Sequence, residues 1–242
     1  TALSAAYFSD ELTASDASRA RAELATLANK TLFSGTKFTD DPYTMRYNVK
    51  SGDMFVGKNG IERGNGLHVP EQLLMKINNI SRPEALQVGA TLTLIKGPFH
   101  AVIDKSDFTM DIYLQRDDLP KVYVRRIMVG LGREGSTPEG LWAVGDKPAA
   151  GGPWYPPAGS DLKGIILFGE PDYAFGEKGI WIALDGKDSH TRQFSGIGIH
   201  STNKPDTIGT MDSLGCIRLS DADIDTAHLL LYPTWSTVTI KP

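Results

Sequence analysis

Apolar and polar positions divide the chain into an early part with helical periodicity and a later part built of short period-two runs. Between Asp10 and Lys30, the residues Leu12, Ala20, Leu24 and Leu27 share one side of a helical repeat, which predicts an N-terminal packing or spacer helix beginning near Ser9 or Ser15. The Asp-Asp-Pro breaker within Phe38–Tyr43 predicts a linker, and Gly97-Pro98 a second boundary. From Phe99 onward, apolar runs recur at Ala101–Asp104, Thr109–Leu114, Lys121–Val129, Ile180–Leu184, Ile197–His200 and Thr237–Ile240, separated by turn-forming clusters. That pattern predicts a mostly β domain, an antiparallel sandwich or barrel-like sheet. Ile224, Ala227, His228 and Leu231 fall at helical spacing, so one helix should pack on the sheet.

The stretch from Gly145 to Gly179 fits neither period and is rich in proline, glycine and aromatic residues. An internal segment of that length is usually functional. Trp154 and Tyr155 within it are candidates either to stack on a ligand along a groove wall or to plug the core. Composition adds exclusions. With 40% hydrophobic and 22% charged residues and a net charge of −4, the chain reads as an ordinary globular protein without the basic stripe of a nucleic-acid binder. No apolar run approaches the roughly 18 residues of a membrane span. No basic-then-apolar leader opens the sequence, as expected of a mature or trimmed exported chain.

Cys216 is the only cysteine of 242 residues, which excludes an internal disulfide. An unpaired cysteine is ordinarily buried and inert. Here, however, it follows Gly215 in Ser213-Leu214-Gly215-Cys216-Ile217-Arg218-Leu219 and stands sixteen residues after His200, which ends the apolar run Ile197-Gly198-Ile199. A thiol attacks as thiolate and wants a base or a positive charge nearby, and His200 and Arg218 supply the candidates. Such an activated thiol would label faster near neutral pH than an ordinary one. Glycine before the nucleophile permits a tight turn whose amides, those of Gly215 and Cys216, could face an oxyanion. Arg218 would bind a substrate carboxylate or brace the loop, while Ser213 and Ser201 are hydrogen-bonding or turn residues. His68, His100, His190 and His228 lack metal-ligand spacing with one another or with Cys216, so neither a metal nor another cofactor is expected.

These residues carry a resemblance. His200-Ser201-Thr202 followed by Ser213-x-Gly215-Cys216-Ile217-Arg218 resembles the signature of the L,D-transpeptidase family with the YkuD-type catalytic domain. Upstream, Val129-Gly130, then Ser136-Thr137-Pro138-Glu139-Gly140-Leu141-Trp142, then Gly152-Pro153-Trp154-Tyr155-Pro156-Pro157, then Gly176–Leu184, look like further segments of that family, so the likeness covers about Gly97 to Pro242. Leu214 stands where many members carry a second histidine. The resemblance implies a thioester between Cys216 and a peptidoglycan tetrapeptide stem, release of D-alanine, and transfer to an amine of a neighbouring stem or an anchored protein. Water as acceptor would make the protein an L,D-carboxypeptidase. It also implies a proton carrier in His200 oriented by a nearby backbone carbonyl, that of Ser201, and acylation of Cys216 by carbapenems.

A second resemblance lies in Tyr47–Asp53, Pro70–Asn78 and Leu86–Leu94, which look like a LysM module, a small α+β unit of order βααβ that recognises N-acetylglucosamine-containing glycan. Gly57, Gly60, Gly64 and Gly66 interrupt its first helix. The expected organisation is therefore a helical segment and linker over 1–44, the LysM-like module over 45–96 and the catalytic domain over 97–242. Both resemblances imply the cell envelope or periplasm. A non-catalytic wall-binding protein is the rival reading, opposed by the intact His200, Gly215, Cys216 and Arg218.

Overall fold

A computed structural model describes residues 1–9, 11–36, 41–55, 57, 60–116, 119–157 and 160–242. Phe38, Thr39 and Asp40 of the expected linker lie outside the described residues. The chain forms two compact units, one of Thr1–His100, Ile112–Arg125 and Leu229–Tyr232, the other of Ala101–Asp111, Arg126–His228 and Pro233–Pro242.

In the first unit, helix α1 spans Ala2–Phe8 and α2 spans Ala14–Lys30. The hydroxyl of Thr13 accepts from the Asp16 amide and caps α2, so the helix starts between the two serines named from the sequence. Ala20, Leu24 and Ala28 are its buried residues, whereas Leu27 is exposed. Alanine at 28 carries little hydrophobic signal, so the apolar count alone put the stripe one position off. Sequence periodicity missed α1, seven residues long. It is held by its neighbours: the Ser4 hydroxyl accepts from the Tyr123 amide, and Tyr7 meets the Tyr123 ring edge-on at 4.9 Å.

Strand β1 (Thr44–Asn48), helices α3 (Ile61–Gly64) and α4 (Glu71–Ile77), and strand β2 (Thr91–Ile95) follow. β1 and β2 pair antiparallel, Thr44 opposite Ile95 and Asn48 opposite Thr91. Helix α3 reaches only four residues, in keeping with the glycines that flank it. Asn78, just past α4, joins helix to strand: its amide donates to the carbonyls of Leu74 and Thr93 at 2.8 Å, and its oxygen accepts from the Thr93 amide at 2.7 Å.

The remaining elements are β3 (Phe99–Asp104), β4 (Thr109–Leu114), β5 (Val122–Met128), β6 (Leu131–Gly132), β7 (Gly140–Val144), β8 (Trp181–Gly186), β9 (Gly198–Ser201), β10 (Met211–Ser213), β11 (Ile217–Leu219), α5 (Asp221–Leu230) and β12 (Thr237–Lys241). Eight strands form one sheet in the order β11-β9-β8-β7-β12-β3-β4-β5, while β6 and β10 pair separately. The domain is mostly β as expected, but its sheet is mixed rather than antiparallel. β11 runs parallel to β9, β12 parallel to β3, and β10 parallel to β6. Period-two alternation reports one buried face and is silent on the direction of the neighbouring strand. In the second unit Trp142, Val144, Ile182, Ile199, Ile217, Val238 and Ile240 are buried along the strands, and Ile224 and Ala227 are buried on α5.

Asp188 ties the start of β7 to the turn after β8, accepting from the amides of Leu141 at 2.6 Å, Thr191 at 2.8 Å and His190 at 2.9 Å. Those amides, Leu141 first, hold its carboxyl down at about 2. Because the folded value lies below the unfolded one, the contribution is complete above about pH 4 and disappears as pH falls toward 2. Asp188→Ala should therefore lower the melting temperature at pH 7, with the gap to the parent protein closing in acid; an equal gap at pH 7 and pH 2.5 would contradict the assignment. Asn78→Ala strips Thr93 of a partner at both backbone groups and should cost roughly 1–3 kcal/mol in urea unfolding.

Candidate active site

The chemistry gathers where β9 and β11 lie side by side. In their parallel register Ile217 faces Ile199, Arg218 faces His200 and Leu219 faces Ser201. Side chains alternate along a strand, so Cys216, one residue before β11, leaves on the same side as Arg218, and His200 shares that side by register. Cys216, His200, Arg218, Ser213, Trp154 and Tyr155 all line one cavity of about 1160 Å³. Ser201 and Gly215 stand behind its wall and are buried.

His200 is buried, and its Nδ1 lies 2.6 Å from the Ser201 carbonyl oxygen. A carbonyl only accepts, so Nδ1 carries the proton and Nε2 is left as the base. Burial pushes the imidazole down to about 4, opposed by the Ser201 bond and assisted by the Arg218 charge. The Cys216 thiol sits 3.5 Å from the Gly196 carbonyl. Burial pushes it up to about 11 against the opposing pull of the Gly198 amide and of Arg218. At neutral pH the resting pair is therefore thiol and neutral imidazole. Against the thiolate-like, fast-labelling cysteine expected from the sequence, desolvation outweighs the nearby positive charge.

The turn carrying the thiol is closed by Ser213, whose hydroxyl donates to the Cys216 carbonyl at 2.7 Å and accepts from the Gly215 amide at 3.1 Å. Gly215 has φ +128°, and a Cβ there would stand 3.3 Å from both Ile197 Cδ1 and the Ser136 carbonyl oxygen. The turn thus needs glycine, and the Gly215 amide is already engaged. Arg218 Nη1 donates to Asp212 at 2.6 Å and to Thr207 at 3.1 Å, which braces the loop ahead of the cysteine. Thr207 and Asp212 carried no sequence signal, since neither belongs to a motif or a periodic run.

Trp154 exchanges backbone bonds with Ile166 at 2.8 and 3.0 Å and meets Phe175 edge-on at 6.0 Å. Tyr155 is exposed. Phe175 and Trp181 were not singled out from the sequence. Both border His200: Trp181 stacks on its ring at 5.7 Å and 18°, and Phe175 lies 4.9 Å away at 50°. The signal available was the aromatic spacing Tyr173-x-Phe175 inside the aperiodic segment. Among the described residues no group of three or more His, Cys, Asp or Glu is placed to hold a metal ion.

Residues 98–240 match the model of the YkuD family, the L,D-transpeptidase catalytic domain. A relative in Bacillus subtilis, YqjB, whose name assigns it provisionally to the L,D-transpeptidases, is 35% identical over 88 residues, covering 36% of this chain and 43% of its own. The matched part is thus under half the length of that relative. Among solved structures, an L,D-transpeptidase from Mycobacterium smegmatis is similar at a TM-score of 0.43 and 14% identity, covering 64% of each chain. One from Mycobacterium tuberculosis gives 0.42 and 16% identity, again with 64% of each chain covered.

Iodoacetamide should label Cys216 of the folded, substrate-free protein more slowly at pH 7 than it labels the same protein unfolded in urea, with the rate rising steeply toward pH 11. Faster labelling when folded would show that the thiol is ionised at rest.

Proposed function

The chain belongs to the YkuD family of L,D-transpeptidase catalytic domains, and on that premise we propose that Cys216 and His200 carry a peptidyl transfer on peptidoglycan stems. The observation that supports this most directly is the placement at one cavity wall of a buried, tautomer-fixed histidine on β9 and the only cysteine in the turn just before the adjacent parallel strand β11. The thiol attacks the carbonyl carbon of the bond between the third residue and the terminal D-alanine of a tetrapeptide stem. Its proton passes to His200 Nε2, where the Ser201 carbonyl steadies the imidazolium through Nδ1–H. Amides at Gly215 and Cys216 receive the oxyanion, the Gly215 amide exchanging its bond with Ser213 for the developing charge. Collapse breaks the C–N bond, D-alanine leaves with the proton from His200, and an amine of a neighbouring stem or an anchored protein resolves the thioester.

Arg218 braces the loop, its Nη1 donating to Asp212 and Thr207. Tyr155, exposed at the cavity, is placed to lie against substrate. The strand–helix–helix–strand order of β1, α3, α4 and β2 supports a LysM-like glycan-binding role for residues 45–96, ahead of a catalytic domain over 97–242. Among the described residues no helix is long and apolar enough to cross a membrane. Action on the cell wall outside the cytoplasm follows from the family.

Cys216→Ala and His200→Ala should each reduce transfer by roughly a thousandfold or more while leaving the circular dichroism spectrum unchanged. Mass spectrometry of muropeptides incubated with the protein reads the outcome. Cross-linked dimers support transfer to an amine, trimmed tripeptides would make water the acceptor, and unchanged products from the Cys216→Ala protein would overturn the thioester route.

A further inference from the structure

The long aperiodic segment between β7 and β8 delivers one side chain to the base. Phe175 lies 4.9 Å from the His200 ring and Trp181 stacks on it at 5.7 Å, and the two aromatic rings, one from the segment and one from β8, are 5.2 Å from each other, so they pack together as a joint cover against the imidazole. Phe175 is itself fixed: its carbonyl accepts from the Ser201 hydroxyl, and Tyr173 and Trp154 meet its ring edge-on at 5.5 and 6.0 Å. Tyr173 is anchored in turn by a 2.8 Å bond to the Gly152 carbonyl. Ser201 therefore acts at both ends, its carbonyl orienting His200 and its hydroxyl holding Phe175.

We propose that Phe175 and Trp181 are positioning residues for the reaction, packing together as one aromatic cover that fixes the His200 ring and keeps water from it. The proposal rests on the transfer chemistry above only for its kinetic readout. The charged and titratable groups around His200 are Cys216 and Arg218 beside β9, with Asp212 paired to Arg218. From β8 comes Trp181, and from the segment Phe175 with Tyr173 behind it. Arg218 and the apolar cover both disfavour the imidazolium, so opening the cover lets water in and moves the group back toward its ordinary value. In this arrangement the roles of Trp154 and Tyr173 are to support Phe175.

The test uses the full chain with Phe175→Ala and Phe175→Leu. NMR titration of His200 should show its pKa raised by about one unit or more in Phe175→Ala. Phe175→Leu, which keeps apolar cover, should restore most of the parent value. The acid limb of kcat/KM should move upward by the same amount in Phe175→Ala. An unshifted His200 in a folded Phe175→Ala protein would overturn the proposal, as would a leucine variant shifted as far as the alanine variant. A shifted His200 in a protein whose parent transfers no stem peptide would sustain the aromatic cover and remove the proposed reaction instead.

Discussion

The parallel pairing of β9 with β11 is the constraint on which the site depends. β11 has only three residues and lies at the edge of the eight-stranded sheet, a weak position for a catalytic element. It is held on its other side by Gly130, which exchanges backbone bonds with Arg218 at 2.8 and 2.9 Å. The Arg218 side chain then reaches Asp212 and Thr207, tying down the loop that leads into the turn. One residue thus uses its backbone to fix the strand and its side chain to fix the approach to the nucleophile. Breaking either set of bonds would move Cys216 relative to His200 without touching the sulfur.

Taking the pair out of water has a cost that decides how it behaves at rest. A thiol moved from 9.0 to about 11 and an imidazole moved from 6.5 to about 4 each disfavour the charged form by about 3 kcal/mol. In the proposed mechanism the charge separation is compensated by the new C–S bond, with the oxyanion taken by backbone amides. A cysteine governed in this way is quiet toward adventitious electrophiles and toward oxidation, which suits a chain whose nucleophile has no second thiol to pair with.

Much of this was legible in the sequence. Cys216, His200 and their glycine turn were visible because they are defined by residue type at fixed spacing, and Ala101–Asp104 by the alternation of buried and half-buried positions. Strand direction was not, because alternation specifies a face and says nothing about a partner. Helix α1 was missed because seven residues held by the Tyr123 backbone and ring carry no usable period of their own. Phe175 was missed for a related reason: its role is defined by what it touches in space. For the thiol, sequence displays the charge beside Cys216 and hides the burial that opposes it.

The Ser213–Cys216 turn shows how stability and catalysis share the same atoms. In the free protein every polar group of that turn that Ser213 can reach is satisfied by Ser213, as expected of a buried turn that cannot rely on water. The same bond from the Gly215 amide blocks one donor that the oxyanion needs. A neutral hydroxyl oxygen competes for that donor less well than an oxyanion, so charge developing on substrate displaces it. The turn is thus rigid before substrate arrives and yields one hydrogen bond only to the species it must stabilise. In the proposed reaction the donor would therefore favour the tetrahedral intermediate over the bound stem, and differential binding of that kind accelerates a chemical step.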